Sequence, residues 1–269
     1  MSMETSVGAD TRDQGESAGL SSSPMLQAIN LSKRYEDGVL ALDNVCFEVN
    51  AGSVYAMLGG NGAGKTTAIN LFLNFIEPSG GEARVDGIVA HKEPLKAKEK
   101  LAYVSENVML YPNFTAIQNL DFFAKLGGKT DYSKTDYRDV LLRVGLDEVA
   151  HSRRLKDYSK GMRQKCGIAI AILKDAPAIL LDEPTAGLDP SAGMEFIKLL
   201  ADLRSEGKAI LMSTHDIFRA KEIADTIGIM NQGKLVMERN AEELKGENLE
   251  QLYVQYMAGH MEQDVETVN

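Results

Sequence analysis

Eight consecutive residues, Gly59-Gly60-Asn61-Gly62-Ala63-Gly64-Lys65-Thr66, fit the spacing G-x-x-x-x-G-K-[ST]. The residue types suit one task. Glycine lacks a Cβ, so its backbone can wrap around an anion in conformations other residues avoid. The resulting ring of N–H groups, with the N-terminus of a following helix, cradles a phosphate. In that arrangement Lys65 reaches the β and γ oxygens and the Thr66 hydroxyl faces Mg²⁺. The flanks agree: Val54–Leu58 is an apolar run that reads as a strand, and Lys65–Phe75 reads as a helix. A glycine-rich turn between strand and helix is the ordinary alternative. The Lys-Thr pair in this setting points instead to a nucleotide. The loop alone does not choose between kinases, GTPases, motors and ATPases.

A second group lies more than a hundred residues downstream. Ala178-Ile179-Leu180-Leu181-Asp182-Glu183 is an apolar strand ending in two acids. Asp182 at the strand end suits Mg²⁺ held through water. Glu183 is placed to polarise a water attacking a γ-phosphate; taken alone, the pair would read as a solvated acidic turn. Ser159-Lys160-Gly161-Met162 opens the helical run Lys160–Leu173, where a serine by itself is an ordinary cap. Thr185-Ala186-Gly187-Leu188-Asp189-Pro190 follows the acids directly. Ser213-Thr214-His215-Asp216 ends the next strand, and a histidine there can reach the ligand side of a parallel sheet. His91, His151 and His260 have no such placement and read as surface residues.

These residues need a scaffold, and the chain between residues 25 and 240 supplies a regular one. Short apolar runs at Val45–Val49, Val54–Leu58, Leu101–Val104, Ile179–Asp182, Ala209–Ser213 and Ile227–Met230 read as strands. Helical patterns follow at Gly64–Phe75, Ser191–Arg204 and Asp216–Ala224. Continuous apolar strands alternating with helices predict a parallel sheet covered on both faces, an α/β fold. Residues 107–175 contain several helical segments and no clear strand, and read as an inserted helical subdomain. Residues 1–24, rich in Ser, Gly, Asp and Glu, read as a disordered tail with no signal-peptide core. Ala241–Met257 carries Leu244, Leu249, Leu252, Tyr253 and Tyr256 between acids and reads as a helix packed on the body, with an acidic frayed end to residue 269.

Composition narrows the classes further. The chain has 269 residues, 44% of them hydrophobic and 25% charged, which is ordinary globular usage. Apolar runs reach about seven residues, against the roughly 20 of a membrane-spanning helix, so no direct membrane span is expected. Cys46 and Cys166 stand far apart with no metal-ligand spacing, which fits a reduced compartment. The net charge is -10, which argues against a nucleic-acid partner. That charge sits at the ends. Residues 1–24 carry -3 and residues 241–269 carry -6, leaving 25–240 near neutrality. Within the neutral span, Arg153–Lys165 holds six bases and one acid. Such a segment could attract a triphosphate from a facing molecule or form a solvated helix face.

Taken in chain order over residues 26–240, these landmarks resemble an ATP-binding-cassette (ABC) transporter ATPase. Tyr35 in Ser32-Lys33-Arg34-Tyr35 matches the aromatic that stacks on adenine, and Gly59–Thr67 matches the Walker A loop. Glu106 falls at the Q-loop, Tyr158–Met162 at the signature motif, Asp182 and Glu183 at Walker B and the catalytic glutamate. Leu188-Asp189 falls at the D-loop and His215 at the switch histidine. Three motifs depart from the commonest forms. The signature reads Tyr-Ser-Lys-Gly-Met rather than Leu-Ser-Gly-Gly-Gln, Glu106 replaces glutamine, and Gly60 stands where proline is frequent. Each departure keeps the atoms hydrolysis requires, and the first two look like those of ABC-2 type exporters.

The resemblance implies a P-loop NTPase (RecA-like) sheet with an N-terminal antiparallel β-subdomain and an inserted helical subdomain. It implies ATP and Mg²⁺ as cofactors. Tyr35, Gly59, Asn61, Gly62, Ala63, Gly64, Lys65, Thr66 and Thr67 would hold the nucleotide, with Ser159, Gly161 and Asp189 contributed across a dimer. Thr66, Glu106 and Asp182 would face the metal, and Lys65, Glu183 and His215 would act in hydrolysis. The implied unit is a head-to-tail pair of ATPase subunits, simplest as a homodimer, driving a separate transmembrane permease from the cytoplasmic face of the membrane. A soluble ABC ATPase of the iron–sulfur assembly kind is the competing implication. A regulatory module without turnover fits less well, since Glu183 and His215 are both present.

Overall fold

The computed structural model describes residues 23–265, so most of the acidic N-terminal stretch and the last four residues lie outside it. In chain order the strands are β1 (Leu26–Arg34), β2 (Leu40–Val49), β3 (Val54–Leu58), β4 (Gly80–Val85), β5 (Ile88–Val89), β6 (Leu101–Val104), β7 (Ala178–Asp182), β8 (Ala209–Thr214), β9 (Thr226–Asn231) and β10 (Lys234–Asn240). The helices are α1 (Lys65–Phe72), α2 (Pro94–Glu99), α3 (Ala116–Leu126), α4 (Lys134–Arg143), α5 (Glu148–His151), α6 (Lys160–Lys174), α7 (Pro190–Ser205), α8 (Ile217–Ile223) and α9 (Leu249–Val265).

Six strands form the main sheet in the order β10-β9-β3-β8-β7-β6. The pairs from β9 through β6 are parallel, and β10 closes one edge antiparallel. Strands β3, β7 and β8 are buried at every position, which explains their unbroken apolar sequences. Alternate residues of these strands enter different cores. Val54, Ala56 and Leu58 face one cluster with Ile179, Leu181, Ile210 and Met212, under helices α3, α6 and α7. Tyr55 and Met57 face the other with Leu180, Leu211 and the apolar side of α1.

The second core is capped by an antiparallel sheet of order β2-β1-β4-β5. The two sheets meet through aromatic rings. Phe47 of β2 lies 4.9 Å from Tyr55 of β3 and 5.8 Å from Phe72 of α1, all in tilted contact. The Tyr55 hydroxyl donates to Glu238 Oε2 of β10 at 3.3 Å, so the buried phenol keeps a partner. Between β6 and β7 the described chain forms α3, α4, α5 and α6. Helices α3 and α4 both begin with capping boxes, Thr115 with Gln118 and Ser133 with Asp136.

Parallel sheet and helices follow the expected alternation, and the antiparallel sheet stands where the resemblance placed it. Several local expectations change. Strands β1, β4, β5 and β10 left no clean apolar pattern, because their burial is broken by polar positions and, in β1, by register shifts against β2. The helix expected from Ala241 starts only at Leu249; residues 241–247 form turns through Gly246, whose φ is +92°. His151 is not a surface residue. It is buried at the end of α5, where Nε2 lies 2.8 Å from the Leu146 carbonyl oxygen, a bond that satisfies the ring inside the helical region. Cys166 is also buried, and desolvation pushes its thiol up to about 12, so it stays protonated.

Two glycines give a test of the antiparallel sheet. Gly81 and Gly87 both hold left-handed backbone, at φ +69° and +75°. A Cβ on Gly81 would lie 2.2 Å from the Asn30 carbonyl oxygen and 2.3 Å from that of Ile29, whereas a Cβ on Gly87 meets nothing within 4 Å. Gly87→Ala should therefore cost only the conformational strain, about 1–2 kcal/mol. Gly81→Ala adds overpacking against backbone and should cost about 2–5 kcal/mol. Urea midpoints of the two variants check the difference. Thiol titration gives a second check: in native buffer the exposed Cys46 should react and Cys166 should not, with both reacting in denaturant.

Candidate active site

The register of the parallel strands assembles the site. Leu58 pairs with Thr214 and Asp182 with Ser213, so β3, β7 and β8 end at one level. Ligands of such sheets bind beyond these carboxyl ends. The chain leaving β3 folds into the glycine loop. Its first turn is fixed when the Gly59 N–H donates to Thr214 O at 3.2 Å. Gly64 begins α1 at φ +105°, and a Cβ there would sit 2.6 Å from the Ala41 carbonyl oxygen. No other residue type fits that position without moving β2.

Lys65 is the first residue of α1 and is only 5% exposed. Its Nζ donates to Gly59 O at 2.6 Å and to Gly60 O at 3.1 Å, and stands 3.2 Å from Glu183 Oε1. Next to it Thr66 Oγ1 donates to Asp182 Oδ1 at 3.1 Å. Asp182 is buried and also accepts from Ser213 Oγ at 2.5 Å. Glu183 leaves the end of β7 at φ +46°, a left-handed conformation unusual outside glycine. Ser213 holds it there: the Glu183 N–H donates to Ser213 Oγ at 3.0 Å and to Ser213 O at 3.2 Å. Such stored strain, of about 1–3 kcal/mol, clusters at functional sites. The Glu183 Oε2 atom accepts from the His215 N–H at 3.3 Å and lies 2.8 Å from His215 Nδ1. Its Oε1 is buried without a hydrogen-bond donor despite the nearby lysine charge, which leaves it an acceptor for a donor brought by a ligand.

A cleft of about 340 Å³ opens here, lined by the loop residues Gly60 to Thr67, by Val39 and Ala41, and by Glu106, Asp182 and Glu183. Tyr35 sits at its margin, about one-third exposed, with its hydroxyl 3.5 Å from Thr67 Oγ1. The Lys33 Nζ stands over its ring, 5.4 Å from the centroid. Beside the acids, burial and then the Asp182 charge push the Tyr103 phenol up to about 12, so it remains a neutral group of β6. Among the described residues no three or more His, Cys, Asp or Glu side chains form a protein-only metal cage. Mg²⁺ does not need one, because it keeps waters and takes one or two protein oxygens with the phosphates. The Thr66 hydroxyl, Asp182 and Glu106 are the oxygens that could serve.

The remaining expected residues lie elsewhere. Ser159, Gly161 and Asp189 line a second cleft of about 170 Å³ with Lys160, Met162, Lys165, Gly187 and Leu188. Ser159 Oγ accepts from the Met162 N–H at 3.2 Å and caps α6, while Asp189 accepts from the Ala192 N–H at 3.0 Å and caps α7. The single chain thus keeps its glycine loop and its Ser159 segment in separate clefts. The basic segment is also less free than its charge count suggests. Lys165 pairs with Glu195 at 2.7 Å, Lys160 with Glu106 at 3.3 Å, and Arg153 and Arg163 donate to backbone carbonyls.

Two residues matter that the motifs alone did not single out. Ser213 fixes both acids, and only its place one residue before a strand end hinted at it. Gln164 is buried on α6, and its Nε2 donates to Glu106 O at 2.7 Å and to Ser105 O at 3.4 Å. A lone amide four residues before the apolar run from Ile168 was the available signal.

Comparison with known proteins accounts for this arrangement. Residues 42–186 match the ABC transporter family. The chain is 36% identical over 228 residues to the bacitracin transport ATP-binding protein of Enterococcus faecalis, covering 83% of this chain and 72% of that one. It is 32% identical over 213 residues to the linearmycin resistance ATP-binding protein of Bacillus subtilis, covering 79% of this chain and 68% of that one. Among solved structures, a dimeric ATP-binding cassette in a post-hydrolysis state bound to ADP and Pi superposes with a TM-score of 0.73 at 26% identity, covering 81% of this chain and 99% of that one. The chain belongs to the ABC transporter family, as an ATP-binding subunit that hydrolyses ATP.

Proposed function

We propose that this ATPase drives an exporter: a pair of these chains on the cytoplasmic face of a membrane, joined to a separate transmembrane permease. The observation that carries the coupling is an apolar groove on the helical region, close in sequence to Glu106. Phe114, Phe122 and Leu126 line it, with Gln118, Asp121 and Lys125, and it encloses about 430 Å³. Tyr111 stacks on Phe114 at 5.1 Å, and Met109 and Leu126 are 86% and 72% exposed. Buried Asn119 holds this loop, with its side chain bonded to both the N–H and the carbonyl of Tyr111. A rigid aromatic recess with exposed apolar rims suits a short helix from a partner. Among the described residues no helix is long and apolar enough to cross a membrane, and in this reading a separate permease supplies the pore. The relatives named for bacitracin transport and linearmycin resistance support the outward direction.

The two separate clefts support a head-to-tail pair, in which Ser159 and Gly161 of one chain meet the nucleotide on the other's loop. A homodimer is the simplest pair, because this chain carries both halves of the site. In hydrolysis Lys65 exchanges the Gly59 and Gly60 carbonyls for β and γ oxygens and offsets their charge. Tyr35 stacks on the base. Thr66, Glu106 and Asp182 would hold Mg²⁺, which when bound neutralises charge shared between the β- and γ-phosphates. Glu183 accepts a proton from the attacking water, with its carboxylate aimed by Ser213 and His215. His215, more than half exposed, swings between Glu183 and the γ-phosphate.

Glu183→Gln should retain ATP binding and pairing, with turnover reduced about 100-fold or more; phosphate release and light scattering measure the two. Undiminished turnover would remove Glu183 from its role as base. The permease reading is tested with Met109→Glu and Leu126→Glu, both at exposed positions. Each should leave the ATPase rate of the isolated chain unchanged and lower its co-sedimentation with membranes of its own cells by about tenfold, as expected when charge enters an apolar contact. Equal sedimentation of variant and parent would favour a soluble ATPase.

A further inference from the structure

Two of the residues at which this chain departs from the commonest family motifs touch each other. Lys160, the third residue of Tyr158–Met162, places Nζ 3.3 Å from Glu106 Oε1. Glu106 lines the nucleotide cleft, and Lys160 lines the second cleft. The same helix face grips Glu106 twice. Gln164, four residues beyond Lys160 and therefore above it on α6, fixes the Glu106 carbonyl at 2.7 Å, while Lys160 takes the carboxylate. The Lys160 stem runs over Gly187, where a Cβ would stand 3.5 Å from its Cδ. Both charged groups are partly exposed, 32% and 47%, so the pair is weak and exchangeable. The backbone of Glu106 is anchored, and only its carboxylate is free to change partner.

Resting on the ATPase reading above, we propose that Lys160 is a positioning residue for Glu106. It holds the carboxylate at the rim of the nucleotide cleft and yields it when metal and nucleotide arrive. Loading one cleft then releases a positive charge into the other, where a facing chain's triphosphate docks. The two unusual residues form one device: Glu106 alone would repel the anion, and Lys160 covers that charge until a cation replaces it.

The sign of the effect tests this on the full-length chain. Binding of a slowly hydrolysed fluorescent ATP analogue is measured in Mg²⁺ and in excess EDTA. Removing a lysine that acts only as a general positive charge weakens both affinities alike. Removing one that competes with the metal for Glu106 tightens the Mg²⁺ form and weakens the metal-free form. Lys160→Met should therefore raise the ratio of metal-free to Mg²⁺ dissociation constants about threefold, the scale of a part-exposed ion pair. Lys160→Arg should keep the parent ratio, and Lys160→Met in a Glu106→Gln background should leave the ratio of that background unchanged. An unchanged ratio in Lys160→Met, or an equal change in the Glu106→Gln background, overturns the pairing. Lys65→Ala separates this from the parent reading. If that variant loses the analogue while Lys160→Met gives a flat response, the pairing falls and the ATP site stands; if it binds like the parent chain, both fall.

Discussion

One buried ammonium sets the terms for the rest of the structure. Lys65 is 5% exposed, and a lysine charge withdrawn from water costs several kcal/mol unless partners replace its hydration. Three groups meet it here: two loop carbonyls and the Glu183 carboxylate. All three are partners that a triphosphate can displace or supplement. The carbonyls exist only because the glycine loop turns back over the lysine. The carboxylate is in reach only because Glu183 leaves its strand in a left-handed conformation. The site is therefore preorganised for an anion, with its strain concentrated at Glu183, the residue we propose as the base.

That arrangement requires three strands to end together, and the two cores explain how they do. Parallel pairing in strict register across β3, β8 and β7 brings Leu58, Thr214 and Asp182 to one edge. Alternating side chains tie the same strands to the helical region on one face and to the antiparallel sheet on the other. The aromatic contact of Phe47, Tyr55 and Phe72 joins the second sheet to the base of the phosphate helix. Packing far from the cleft thus controls the height of residues within it. The apolar groove runs along α3 from Phe114, and the chain between β6 and α3 carries both Phe114 and Glu106, so a partner docking in the groove would bear on the segment of a residue that lines the nucleotide cleft.

Legibility in the sequence followed the range of the interactions. The glycine loop, the acids after an apolar strand and the histidine at a strand end are local signals, and each stood where its neighbours implied. Strands β3 and β6 matched their apolar runs residue for residue; β3 is buried at every position, and β6 at all but Tyr103. Strands β1 and β10 did not, because each exposes one side and interrupts its pattern. His151 was misread because a histidine near a helix end looks like a surface residue until the Leu146 carbonyl is seen to close on it. Ser213 and Gln164 were present in quoted or helical segments, but their roles depend on partners that no local spacing indicates.

By itself the sequence determined the groups available to this protein: a glycine loop suited to phosphate, two acids closing an apolar strand, a histidine at a strand end, and an α/β alternation to carry them. Those features reside in short windows, where backbone freedom and hydrophobic period act residue by residue. Tertiary structure alone decided how they are joined. It set Ser213 against Asp182 across 31 positions and Lys160 against Glu106 across 54, and it kept Ser159 in a different cleft from Lys65. The reason is that strand register and helix packing, rather than separation along the chain, fix which charged groups share a cavity.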